Sequence, residues 1–229
     1  MCIPISTGTS LFNIEHVQQC ISTEDILRMR NREGYKYFVG VDPAISTDGD
    51  YNVIVVLEVD DEKNKRVVFV DRQKNVQFRE NINKLKLVGQ LFQPEVILFE
   101  TNTFAKSFTQ ELRNETDLNV RDVTMTRRKK EEIILNIENH KIVLPKGNEE
   151  SKRITGLIVD ELSMFSILDN GRFAGVGAHD DLVMGLALAN SATHTLNESF
   201  VLLDDIDIFD SPVNTPMGQL GGGIFGLNI

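Results

Sequence analysis

Four carboxylates stand where hydrophobic segments begin or end. Asp42 closes the run Tyr37-Phe38-Val39-Gly40-Val41, Glu100 closes Val96-Ile97-Leu98-Phe99, and Asp180-Asp181 open the stretch that continues through Met184-Gly185-Leu186-Ala187-Leu188-Ala189. A carboxylate at the end of a buried strand is costly unless it is paired or holds a cation. Three or four of them converging without partners repel and raise one another's pKa, and a bound divalent cation resolves that conflict. All-oxygen ligands favour magnesium or manganese over zinc or copper. Two such ions about 3.5–4 Å apart can activate water and stabilise the leaving oxygen in phosphodiester hydrolysis.

That chemistry requires a scaffold that brings the four acids together. Strands are expected at Tyr37–Asp42, Asn52–Val59 and Arg66–Val70, with the charged segment Asp60–Lys65 as a solvent turn, so that the second and third form a hairpin. Ile82, Leu85, Val88 and Phe92 fall at helical spacing and Pro94 stops that helix. A helical crossover of this kind lays Val96–Phe99 parallel to Tyr37–Val41, so neighbouring strands would place Asp42 and Glu100 at one carboxyl edge. Phe104, Phe108 and Leu112 suggest a further helix, Val120–Thr126 a strand, and Arg127–Ile137 a helix carrying Ile133, Ile134 and Ile137 inward. Ile142–Pro145 reads as a short extended piece, Ile154, Leu157, Ile158, Leu162 and Phe165 as a periodic helix, and Asn170-Gly171 as a hairpin turn. The last helix, Asp180–Ala192, has small residues that let it lie close to a sheet and deliver Asp180 or Asp181 to the same edge.

A chain of 229 residues can build one full domain plus peripheral segments. The division expected is a lead-in or linker over 1–34, a domain over 35–196 and an acidic, glycine-containing tail over 197–229. A helical turn is expected within Glu24–Met29, and the lead-in itself suggests a piece of a longer protein. The net charge of −10 argues against broad electrostatic attraction to nucleic acid, so metal ions, a local basic patch or a partner would have to offset it. Two cysteines, Cys2 and Cys20, make neither a zinc cluster nor a disulfide framework, which points to a reducing, cytosolic setting. Residues 1–10 lack the pattern of a signal peptide, and no stretch approaches the roughly 20 apolar residues that span a bilayer.

Val39-Gly40-Val41-Asp42-Pro43-Ala44, Asp50-Tyr51, Leu98-Phe99-Glu100 and Gly177-Ala178-His179-Asp180-Asp181-Leu182-Val183-Met184, in this order and spacing, resemble the ribonuclease-H-like nuclease domain of phage large terminase subunits. The resemblance runs from about Phe38 to Asn190. It implies an α/β fold with a mixed central sheet and helices on both faces. It implies catalytic metal ligands at Asp42, Glu100 and an aspartate of His179-Asp180-Asp181, with Asp181 preferred and Asp180 able to share the role. Asp50 matches a further acidic position near the metals. The activity implied is endonucleolytic cleavage of double-stranded DNA with two magnesium or manganese ions, as in cutting concatemers during viral genome packaging. The implied partners are a packaging ATPase domain, a portal protein and a small terminase subunit, in the host cytoplasm. The G-x-x-x-x-G-K-[ST] phosphate loop of the ATPase does not occur in the chain.

Competing readings are weaker. Asp48, Asp50 and Asn52 mimic the start of a calcium loop, but Val53 replaces the glycine and Val59 the bidentate glutamate. His179 could assist a metal or a phosphate, or bond at a helix start; His16, His140 and His194 lack ligand-like spacing. Arg127-Arg128-Lys129-Lys130, with Lys146, Lys152 and Arg153, is the best phosphate-contact candidate, against a solvated helix start offset by Glu131 and Glu132. Phe104 and Phe108 read as core. The alternatives kept open are a junction-resolving or integrase-like nuclease of the same fold, and a non-catalytic module that docks on a portal through its tail.

Overall fold

The computed structural model describes residues 10–44, 51–101, 105–168, 173–175 and 179–195. Its elements are α1 (Ile14–Gln19), β1 (Ile21–Ser22), β2 (Lys36–Asp42), β3 (Asn52–Val59), β4 (Lys65–Gln73), α2 (Phe78–Phe92), β5 (Val96–Glu100), α3 (Ala105–Glu115), β6 (Val120–Val123), α4 (Arg127–Glu138), β7 (Ile142–Pro145), α5 (Glu149–Met164), β8 (Phe165–Ile167), β9 (Phe173–Gly175) and α6 (Asp181–Ala192).

Seven strands form one mixed sheet in the order β1-β7-β4-β3-β2-β5-β6. β2, β3 and β4 pair antiparallel, whereas β5 joins β2 in parallel and β6 joins β5 in parallel. The strand period of two then divides the side chains. Val39, Val41, Ile54, Val56, Ile97 and Phe99 meet α2 and α3 on one face through Leu85, Phe92, Phe108 and Leu112. Val53, Val55 and Leu57 meet α1, α4, α5 and α6 on the other. β8 and β9 pair antiparallel, as the hairpin reading expects; Asn170, Gly171, Phe104 and the tail lie outside the described residues.

Several sequence readings change; Phe165, for one, opens β8 instead of closing α5. Residues 24–29 are not helical, although Ser22 Oγ accepts from Glu24 N–H and Asp25 N–H at 3.3 Å as a cap would. Long-range bonds win instead: Leu27 N–H donates to Ser151 Oγ at 2.9 Å and Arg28 N–H to the Val68 carbonyl at 2.6 Å. The described part of the lead-in is accordingly built into the domain, with β1 paired to β7 and Phe12, Val17 and Cys20 buried in the core. β6 stops at Val123 rather than Thr126, because Thr126 caps α4 by accepting from Lys129 N–H.

A buried network pins the same segment to the sheet. Glu58, fully buried on β3, accepts from Tyr37 OH at 2.7 Å, Arg28 Nη1 at 3.3 Å and Arg32 Nε at 3.0 Å, and Arg32 Nη2 bonds its other oxygen. Burial, with the bond to Glu58, pushes the Tyr37 hydroxyl up to about 12.

Lys65 departs from the solvated turn expected over Asp60–Lys65. It opens β4, is 5% exposed, and donates from Nζ to Asn190 Oδ1 at 2.6 Å. Burial pushes its ammonium down from 10.5 to about 8. Between those values the unfolded chain holds the proton and the folded chain does not, so this group makes stability rise with pH. Relative to Lys65→Met, the wild type should therefore gain about 3 kcal/mol between pH 8 and pH 10.5, read by urea denaturation at both ends. A pH-independent difference would mean that the amine is solvated in the folded state.

Among the described residues no helix is long and apolar enough to cross a membrane.

Candidate metal centre

β2 and β5 run parallel with Val41 opposite Phe99, so Asp42 and Glu100 are the next residues out on adjacent strands. The pleat also settles their face. Gly40 lies against α6 and Leu98 packs with Ala192 of α6, and Asp42 and Glu100 follow each by two residues.

α6 reaches this edge because two glycines remove the side chains between it and the sheet. A Cβ on Gly40 would meet Ala189 N at 2.2 Å and Gly185 O at 2.3 Å, and one on Gly185 would meet Val53 Cγ1 at 2.7 Å. The C-terminal Ala192 packs with Phe38, and Gly185 and Ala189 lie on Gly40. The helix therefore runs antiparallel to β2, and its first turn arrives beside Asp42.

The two aspartates at that turn face different neighbours. Asp181 Oδ2 accepts from Tyr51 N–H at 3.3 Å and stands 3.4 Å from His179 Nδ1. The His179 ring meets the Tyr51 ring edge-on at 4.9 Å. Asp180 Oδ2 accepts from Gly175 N–H at 3.2 Å. Burial holds the Glu100 carboxyl above the usual carboxylate range; Lys130 works against that shift and Asp180 adds to it. Asp180, Glu100 and Lys130 thus share one electrostatic neighbourhood. Asp50 lies outside the described residues.

Glu161 is a carboxylate that stands at neither a strand end nor a helix start. It lies on α5, 6% exposed, with Oε2 accepting from Leu182 N–H at 2.8 Å and Oε1 from Arg72 Nη2 at 2.9 Å. Burial pushes its carboxyl up to about 7 against the pull of the Leu182 amide and Arg72, and Asp181 adds to the rise. The signal was present: with Ile154 and Ile158 it continues the buried stripe of α5, where a charge needs a reason.

The basic run is divided by the helix that carries it. Arg127 pairs with Glu131 at 2.8 Å and Arg128 with Glu132 at 3.7 Å, while Lys129 Nζ donates to the Thr124 carbonyl at 3.3 Å. Lys130 Nζ donates to the Phe173 carbonyl at 3.2 Å and is the residue of the four whose charge is felt at Glu100. Arg153 is paired with Glu150 at 2.7 Å. At the same edge, Arg72 lies 3.4 Å and Lys74 4.5 Å from the centre of the Tyr51 ring.

Among the described residues no three acidic, histidine or cysteine side chains stand close enough to hold one ion together. The candidate donors, Asp42, Glu100, Asp180 and Asp181, are nevertheless all carboxylates; burial raises the Glu100 carboxyl, and Asp180 adds to the rise. That is the chemistry a hard divalent cation relieves.

A mixed sheet whose three antiparallel strands are extended by parallel β5 and β6, with helices on both faces, is a ribonuclease-H-like α/β fold. Its solved likenesses include nuclease domains of phage large terminases, the group the motifs resemble. The large terminase nuclease from thermophilic phage G20c with bound magnesium is 20% identical, with a TM-score of 0.60 over 82% of this chain and 98% of that one. The large terminase nuclease domain of Thermus phage P74-26 is 18% identical, with a TM-score of 0.59 over 80% and 95%. The HK97 bacteriophage large terminase is 11% identical, with a TM-score of 0.57 over 80% of this chain but 43% of its own. At these identities the likeness is one of fold. No protein-family model matches the sequence, and no curated protein matches it either.

Proposed function

We propose that the chain is a metal-dependent endonuclease acting on double-stranded DNA, the nuclease part of a machine that cuts concatemers during viral genome packaging. One observation carries this reading. Asp42 and Glu100 end adjacent parallel strands on the face that α6 covers, and the first turn of α6 brings Asp180 and Asp181 to the same edge. The fold likeness adds support, as does the G20c nuclease, which has been solved with magnesium, cobalt and zinc.

Asp42, Glu100 and Asp181 are the residues that would hold two magnesium or manganese ions, with Asp42 shared and Asp180 and Asp50 beside them. Bound there, such cations would polarise the scissile phosphate and lower the pKa of an attacking water. Asp181 accepts from the Tyr51 amide through Oδ2, which links the ligand set to the start of β3. Lys130 places a positive charge beside Glu100, where it would meet an incoming phosphate. With a net charge of −10, affinity for DNA would rest on such local charges and on an attached motor. A packaging ATPase, a portal protein and a small terminase subunit are the partners that fit this role, in the cytoplasm of an infected host.

The test is digestion of supercoiled plasmid with manganese, with magnesium or with chelator. Nicking and linearisation are expected with either metal and none in chelator. Cleavage that persists in chelator would overturn the metal mechanism, and strong preference for a four-way junction over plasmid would move the chain to the junction-resolving class.

A further inference from the structure

We propose that Glu161 is a positioning residue for the metal centre: it caps α6 from a neighbouring helix, so that Asp180 and Asp181 can face the sheet edge. The inference rests on the metal-centre reading above and concerns how its third carboxylate is held.

A helix leaves its first amides without partners, and an aspartate at the start commonly turns back to accept from one of them. α6 does not use its own residues in this way. Asp180 occupies the N-cap position and makes no side-chain cap bond; its Oδ2 is engaged by Gly175 N–H instead. Asp181, the first helical residue, accepts from Tyr51 N–H across to the start of β3. The Leu182 amide is instead taken by Glu161 Oε2, a residue 21 positions earlier on a different helix. A carboxylate at a helix N-terminus is also favoured by the helix dipole.

The two oxygens of Glu161 are used separately, which sets it apart from a simple buried ion pair. Oε2 holds the first turn of α6, and Oε1 holds Arg72. The Arg72 guanidinium lies 3.4 Å from the centre of the Tyr51 ring, and the Tyr51 amide holds Asp181. The contacts close into a ring that starts and ends at Asp181 and Leu182. Glu161 thus fixes the backbone under Asp181, and through Arg72 and Tyr51 it steadies the group that aims its side chain. Groups that orient metal ligands in this way are typically worth 10–100-fold in metal affinity.

The test is manganese titration by calorimetry of the wild type, Glu161→Ala, Glu161→Gln and Asp42→Asn, with the melting temperature of each. Glu161→Ala is expected to weaken manganese binding about 10–100-fold in protein that is still folded. Glu161→Gln keeps an oxygen for the Leu182 amide but sets an NH2 against Arg72, so a loss smaller than that of Glu161→Ala is expected. Should the alanine variant fail to fold, Glu161→Asp serves: it keeps the charge but cannot reach Leu182, and about a tenfold loss is expected. A lower melting temperature with unchanged manganese affinity in the folded Ala or Asp variant would make Glu161 purely structural and overturn the proposal. If the wild type binds no manganese, or binds it just as well with Asp42→Asn, the metal-centre reading itself fails and the proposal falls with it.

Discussion

Asp42→Asn should abolish plasmid cleavage, by at least about a thousand-fold, while leaving the fold intact. The substitution keeps size and shape and removes one negative charge from the end of β2, where Glu100 is its neighbour on β5 and α6 its cover. A bound ion contributes several kcal/mol of transition-state stabilisation, and about 4 kcal/mol corresponds to a thousand-fold in rate. Rates measured on supercoiled plasmid with manganese, beside thermal melts, separate loss of cleavage from loss of fold. Residual cleavage above about a hundredth of wild type would mean that Asp42 is not a shared ligand.

Glu58→Ala is expected to cost about 3–5 kcal/mol of stability, because breaking a buried charge network on one side strands its partners. The fully buried carboxylate satisfies Arg28, Arg32 and the Tyr37 hydroxyl, and Tyr37 is itself buried. Arg32→Met should cost less, about 1 kcal/mol, since that side chain is 38% exposed and water can replace it. Urea denaturation gives the magnitudes. Limited trypsin digestion gives the location: Arg28, Arg30 and Arg32 lie in the segment that Glu58 holds and should become the first sites cut. A loss below about 1 kcal/mol in Glu58→Ala would mean that the network is solvated.

Much of this scaffold was legible from residue order because its central strands are long and apolar. Asn52–Val59 is buried at every position, and the parallel placement of Val96–Phe99 beside Tyr37–Val41 follows from an intervening helix that Pro94 ends. The candidate acids were legible to the extent that they sit at the ends of such runs. The misses have two physical causes. α1 spans six residues and β1 two, too short for a periodic pattern, and they are held by packing and by pairing with β7. Around residues 24–29 the local capping signal is real, but backbone bonds to Val68 and Ser151 outweigh it. Glu161 and Lys65 share the second cause. Their partners, Leu182 and Arg72 in one case and Asn190 in the other, are remote in sequence and are supplied by folding alone.

Every residue of α6 from Asp181 to Ala192 is buried. A helix with no outer face has no loose side on which to rock, and its amides can exchange with solvent chiefly when the whole domain opens. The proposed third acidic arm is therefore mounted on one of the last parts of the domain to move. In the proposed nuclease, ion binding would spend little on ordering that arm, and control over cutting would fall to what is brought up to the edge, not to the helix that forms it.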